Sequence, residues 1–240
     1  MTRTRASFAA AMAAGMLMGG FAEAHAGTST QTLDFSVNAD DSSVIPVSTP
    51  KAFSGFNLLG ATLVQADLYL YDPASGFLAT SHAQLTGSEG GSAALLASFA
   101  VKHDILGTPF SLTNLNSGTA SMQDYNYNIE TVPATKTATA ADFNQSHVTY
   151  NGDLSEFLKA LVTFNAVIDG FDTTTADCNS GYGGNTCAHS ASFTGTLELV
   201  YTYNENTPVP EPGSVALLAT ASVGLLGASA RRVRRRTKPN

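Results

Sequence analysis

Apolar and polar residues alternate in several short stretches of the chain, and this period of two predicts β-strands with one buried face. The clearest stretch is "SFTGTLELVYTY", where Thr194, Thr196 and Glu198 fall on the face opposite the apolar one. Valine, threonine, tyrosine and phenylalanine, which suit a pleated and half-buried surface, recur in these stretches. The apolar faces predicted in this way are Leu33, Phe35 and Val37; Val64, Ala66, Leu68 and Leu70; Tyr125, Tyr127 and Ile129; and Phe193, Leu197, Leu199, Tyr201 and Tyr203.

Turn-forming residues separate the strands, as in "TGSEGGS" at 86–92 and Asn151-Gly152. The Thr/Ala-rich stretch at 131–140 is interpreted as an exposed loop. One helical turn is predicted in "GDLSEFLKAL", capped by Asp153 with Glu156 in the reciprocal position, and with Phe157, Leu158 and Leu161 on its apolar side. A strand "VTFNAVI" follows. Many short strands with little helix predict an all-β fold, a single β-sandwich-like ectodomain over residues 27–205.

The N-terminus has the pattern of a secretory signal peptide over residues 1–26. Arg3 and Arg5 give a basic start, an apolar stretch follows, and Ala24-His25-Ala26 supplies the small-x-small pattern of a signal peptidase site. The apolar stretch is short for a membrane span and ends in small residues. We therefore expect cleavage after Ala26 and export of the body.

Near the C-terminus, residues 213–230 form an uncharged apolar run that is followed at once by basic residues. As a helix these 18 residues would be about 27 Å long, enough to cross a bilayer core. The basic residues are Arg231, Arg232, Arg234, Arg235 and Arg236. Because dense positive charge resists translocation, this transmembrane helix should leave the tail in the cytoplasm and the body outside the inner membrane.

The residues before this helix are Val209, Pro210, Glu211 and Pro212. Two prolines prevent both helix and sheet from continuing, so the segment should be extended and exposed. The order of Pro-Glu-Pro, weak membrane helix and arginine cluster, over residues 206–236, resembles the PEP-CTERM sorting signal. The resemblance implies processing by exosortase, a membrane-embedded cysteine peptidase, in a Gram-negative bacterium that makes extracellular polysaccharide. Its implied location is the cell surface, the outer envelope or the extracellular matrix.

A second resemblance covers the body. The stretches "TQTLDFSV", "FNLLGATLVQADLYL" and "FTGTLELVYTYNENTPVPEPGS" are similar to the choice-of-anchor E domain, a bacterial surface ectodomain found with different C-terminal anchors. That family has no established activity, so the resemblance implies no catalytic residues and no cofactor.

The charge of the body limits the classes of partner that it can bind. Residues 27–208 contain four lysines, no arginine and 17 acidic residues, so their net charge is −13. Proteins that bind nucleic acids or anionic lipids use basic residues to neutralise the negative charge of these partners. The sequence therefore argues against a nucleic-acid partner, while cations would be tolerated.

The two cysteines, Cys178 and Cys187, both lie in the exported body. An even number of cysteines in an oxidising compartment predicts a disulfide. The bridge would close the glycine-rich loop "CNSGYGGNTC". A metal pair or a reactive thiol is the alternative, with His189 as the one nearby histidine.

Three aspartates before that loop, Asp169, Asp172 and Asp177, are weak candidates for Ca²⁺ ligands. Oxygen ligands on an acidic loop suit Ca²⁺, but the spacing matches no known calcium motif. Solvated loop acids are the favoured interpretation, so no metal site is assigned.

Signs of catalysis are weak. His82, His103, His147 and His189 stand in no metal-binding motif, no nucleophile elbow occurs, and adjacent acids such as Asp40-Asp41 are expected by chance. We therefore expect a non-enzymatic surface or matrix protein. The alternatives are a glycan-binding module, with Ca²⁺ assistance, and a secreted hydrolase. There is no tryptophan for sugar stacking, for which Tyr69, Tyr71, Tyr182 and Tyr201 are the substitutes.

Overall fold

The computed structural model describes residues 26–123, 128–178 and 184–205. Residues Ala26–Asn204 form one compact unit. The predicted signal peptide, all but its last residue, lies outside the described ranges. So do the sorting signal 206–236 and the residues Tyr125, Tyr127 and Tyr182. Within the described ranges, no helix has the length and hydropathy needed to cross a membrane.

The described chain is all-β and contains eleven strands, which confirms the predicted fold class. They are β1 Ala26–Asp40, β2 Val47–Ser54, β3 Ala61–Tyr71, β4 Ala79–Gly87, β5 Gly91–His103, β6 Gly107–Asn116, β7 Ala120–Met122, β8 Glu130–Ala138, β9 His147–Tyr150, β10 Leu161–Ala176 and β11 Thr186–Glu205. Two short 3₁₀ helices, Ala140–Asp142 and Ser155–Leu158, flank β9.

The strands form two sheets that face each other in a sandwich-like arrangement. The first sheet has the order β8-β4-β11-β3-β9, with β1 also paired to β11, and the second has the order β2-β10-β5-β6, with β7 paired to β5. The long strand β11 is antiparallel to β1 from Ala26↔Asn204 to Asp40↔Ser190. The first and last described strands are therefore neighbours. Their pairing joins the two ends of the body within the first sheet.

The core contains the apolar faces that the alternation predicts. Phe193 lies at its centre and contacts Phe35 of its own sheet, with ring centroids 4.7 Å apart, and Phe99 of the opposite sheet, at 5.7 Å. Tyr201 is also buried, and its hydroxyl donates a hydrogen bond to the Ser54 carbonyl on β2. Two residues depart from the pattern. Val64 is 43% exposed near the start of β3, and Ile129 is 78% exposed just before β8.

Two predictions about local structure were wrong. The stretch at 131–140 is mostly β8, which pairs with β4 along its whole length. Threonine favours strands, and Pro133 is tolerated because β8 is an edge strand.

In the predicted helical turn, Leu154 occupies the N-cap position, and Asp153 accepts a hydrogen bond from the Ser155 amide instead. Glu156 pairs with Lys159, so the predicted capping box is absent. Of the three residues on the predicted apolar side, Phe157 is buried, whereas Leu158 and Leu161 are more than half exposed.

Candidate functional site

Cys178 and Cys187 form a disulfide, as the sequence predicts. Cys178 follows β10 of one sheet and Cys187 lies at the start of β11 of the other, with Cα atoms 5.7 Å apart. The bridge therefore ties the two sheets together at one end of the sandwich. Disulfides persist in oxidising compartments, so this bond points to an extracytoplasmic environment.

Asn185 fixes the neighbouring hairpin between β4 and β5. Its side-chain nitrogen donates to the carbonyls of Glu89 and Gly90 at 3.1 and 3.0 Å, and its side-chain oxygen accepts from the Glu89 amide at 3.2 Å. Gly87 packs so closely on this amide that a Cβ there would overlap it. Gly87 and Gly91 therefore make room for Asn185 next to the disulfide.

The weak calcium candidates are not assembled into a site in the described ranges. Asp169 pairs with Lys102 at 2.7 Å, Asp172 is exposed on β10, and Asp177 follows that strand with φ at 58°. Among residues 26–123, 128–178 and 184–205, no group of three or more His, Cys, Asp or Glu side chains could hold a metal ion. The Lys102 ammonium thus balances the charge of Asp169.

Asp41 and His189 form a pair that the sequence analysis missed. One oxygen of Asp41 accepts from the His189 amide and the other faces its Nδ1, both at 2.8 Å. His189 is buried, and its Nε2 has no hydrogen-bond partner in the described part of the chain. The two contacts hold the turn after β1 against β11.

The side chain of Asp40 accepts hydrogen bonds within the same turn. Its Oδ1 accepts from the Ser42 amide and from the hydroxyls of Ser42 and Ser43. These hydrogen bonds, led by the Ser42 hydroxyl, lower the pKa of Asp40 below its ordinary value. The adjacent acids Asp40 and Asp41 thus stabilise local structure, and their side chains have separate partners.

A second Asp-His pair lies on the outer face of the first sheet. Asp67 of β3 accepts from the Thr149 hydroxyl at 2.6 Å and from the Gln65 amide at 2.7 Å, and it lies 3.2 Å from His147 Nε2. Burial acts to raise the pKa of Asp67, but these hydrogen bonds outweigh it and the pKa is lowered. The carboxylate therefore stays ionised although it is only 6% exposed.

Aromatic rings line up beside Asp67. Tyr69 lies 4.2 Å from His147 and 5.9 Å from Tyr71 between ring centroids, and the interplanar angles are 8° and 9°. The hydroxyl of Tyr71 lies 3.4 Å from Glu198 Oε1 on β11. Burial and the charge of Glu198 raise the pKa of Tyr71, so the hydroxyl remains protonated and can donate. Of the tyrosines proposed for sugar stacking, Tyr201 is buried in the core, whereas Tyr71 is 44% exposed.

We call this outer surface the tyrosine face. It is defined by Asp34, Asp67, Tyr69, Tyr71, His147 and Glu198. Sequence alternation placed Asp67 and Tyr69 together on the outward side of one strand. Alternation gave no sign of the contacts with β9 and β11, because those partners are 78–127 residues away along the chain.

Comparisons with known proteins add little to this geometry. Neither a family model nor a curated protein matches the chain. A solved structure titled desmodium yellow mottle tymovirus is 10% identical, with 73% of this chain and 89% of that chain covered and a TM-score of 0.20. For the infectious bursal disease virus Gx strain, the identity is 10%, the coverage is 85% of this chain and 51% of that chain, and the TM-score is 0.14. Likenesses with such low TM-scores carry no argument about fold or function.

Proposed function

We propose that this chain is a non-enzymatic, exported protein of the cell surface or extracellular matrix of a Gram-negative bacterium. In this proposal signal peptidase removes residues 1–26, and the helix 213–230 holds the chain briefly in the inner membrane. Exosortase then processes it near Pro210-Glu211-Pro212. The mature body would be the disulfide-linked β-sandwich. It would remain at the envelope or in the extracellular polysaccharide.

The observation that carries the proposal is the disulfide between Cys178 and Cys187, in a body that lies between an N-terminal export signal and a C-terminal sorting signal. Disulfides form and persist in oxidising compartments. The two predicted signals would also direct the body to such a compartment, and each is inferred from its own sequence features. The disulfide, the export signal and the sorting signal all indicate that the body folds outside the inner membrane. Together they support the proposal more strongly than any one of them does.

The proposal is tested by changing the sorting motif in the host bacterium. Replacing Pro210, Glu211 and Pro212 with alanine removes the predicted recognition motif, and the chain should accumulate in the inner membrane with its arginines attached. The matched control is Asn206→Ala with Thr207→Ala, which changes the spacer and should leave processing intact. Equal processing of the motif variant and the native chain would contradict the proposal.

A glycan-binding role is the second candidate, and the tyrosine face favours it. Hydrolysis of a glycosidic bond uses two carboxyl groups on either side of one bond. The adjacent acids Asp40 and Asp41 each bind a separate structural partner. Binding needs only an accessible surface with suitable chemistry, and the outer face of the first sheet offers one.

A further inference from the structure

The tyrosine face carries three carboxylates, of which Asp67 lies beside His147 and the other two have no lysine or arginine on the same strands. Its strands β1, β3, β9 and β11 contain no lysine and no arginine. Glu198 is half-buried and Asp34 is exposed, while Asp67 is ionised beneath its three hydrogen-bond partners. Such a surface repels anions and attracts cationic groups.

Glu198 and Asp34 lie close to each other on this face. Glu198 is opposite Thr32 in the register of β1 and β11, and Asp34 is two residues farther along β1 on the same side. Diagonal neighbours of this kind lie about 7–8 Å apart. Each carboxylate accepts through one oxygen, Asp34 from the Thr196 hydroxyl at 2.6 Å and Glu198 from Tyr71. An ionised carboxylate can accept about four hydrogen bonds, so both retain capacity for a ligand.

The rings give the face a second kind of contact. Tyr71 is an exposed end of the row of His147, Tyr69 and Tyr71, and its hydroxyl is directed to Glu198. A protonated amine near an aromatic ring gains cation–π attraction, and the same amine can donate to the carboxylate. Tyr71 and Glu198 therefore suit a ligand that is cationic and has a ring or apolar surface.

We infer that the tyrosine face binds a polysaccharide whose sugar units carry protonated amines. The amines would contact Glu198 and Asp34, and the sugar rings would lie against Tyr71. The surrounding side chains favour a sugar over a basic peptide, because hydroxyls of Thr32, Thr194 and Thr196 share this side of the strands and can exchange hydrogen bonds with sugar hydroxyls. The inference rests on the proposed function, since a matrix setting supplies such a polymer.

The test is calorimetric titration of the purified full chain in detergent with an oligomer of glucosamine at about pH 6, where primary amines are protonated. Glu198→Gln should weaken binding about tenfold through loss of a charge-assisted hydrogen bond. Tyr71→Ala should weaken it about three- to tenfold, and Tyr71→Phe, which keeps the ring, should weaken it less. The matched control is Asp172→Asn, which removes the same charge from an exposed position on the second sheet.

Several results of the titrations would overturn the inference. They are absence of binding, an equal loss with Asp172→Asn, and equal binding of the N-acetylated oligomer. Equal binding of a lysine oligomer would replace the sugar with a basic peptide and would overturn it too. Because binding is measured on the purified chain, its failure leaves the proposed export untouched, while failed processing in the cell leaves the binding result valid.

Discussion

The disulfide gives the sharpest quantitative prediction about the body. Replacing both Cys178 and Cys187 with alanine removes a bridge between residues nine apart in sequence. In the chain-entropy model, a loop of this length stabilises the folded state by about 2.6 kcal/mol, because the cross-link restricts the unfolded chain. Both side chains are only partly buried, so the cavity left by two alanines should add little to this loss.

Urea unfolding followed by far-ultraviolet circular dichroism measures the effect. With a denaturant dependence of about 2–3 kcal/mol per molar urea, the midpoint should fall by about 1 M in the double variant. The native protein with a reducing agent should show a similar fall, while the double variant should not respond to the reducing agent. Equal midpoints for the oxidised native protein and the double variant would refute the loop-entropy argument.

Two further predictions concern the polar groups of the body. Asn185→Ala removes the three hydrogen bonds to the backbone of Glu89 and Gly90 and should cost about 2–3 kcal/mol in the free energy of unfolding. A cost as small as that of the exposed change Asn57→Ala would contradict the anchoring role. Asp67→Asn should destabilise the protein at neutral pH. Because the folded pKa of Asp67 lies below its ordinary 3.8, its contribution is present above that value and is lost as pH falls toward the folded pKa. The free energy of unfolding of Asp67→Asn should therefore differ from that of the native protein strongly at neutral pH and only slightly at strongly acidic pH. A difference that does not change with pH would contradict this.

Period-two alternation predicted the buried faces of β1, β3 and β11 because those strands each pack one side on the core. It failed at β8, where threonine and alanine alternate weakly and the strand forms only by pairing with β4. The prediction of a helical apolar side failed at Leu158 and Leu161. Their apolar spacing suggested a buried helical side, but the short 3₁₀ turn directs only Phe157 into the core.

The candidate site was less accessible to sequence reasoning than the fold. The disulfide could be predicted because cysteine number and compartment restrict the possibilities. The pair of Asp41 and His189 joins residues 148 apart in sequence, and Tyr71 meets Glu198 across 127 residues. No local spacing encodes such contacts, since they depend on which strands become neighbours in the sheet.

The export and processing of this chain are tested most directly by intact-mass analysis of the protein from each cell fraction. The surface or extracellular form should begin at Gly27, contain the disulfide, and lack Arg231 to Arg236. An extracellular form that retains those arginines, or a folded full-length chain in the cytosol with both cysteines reduced, would contradict the account.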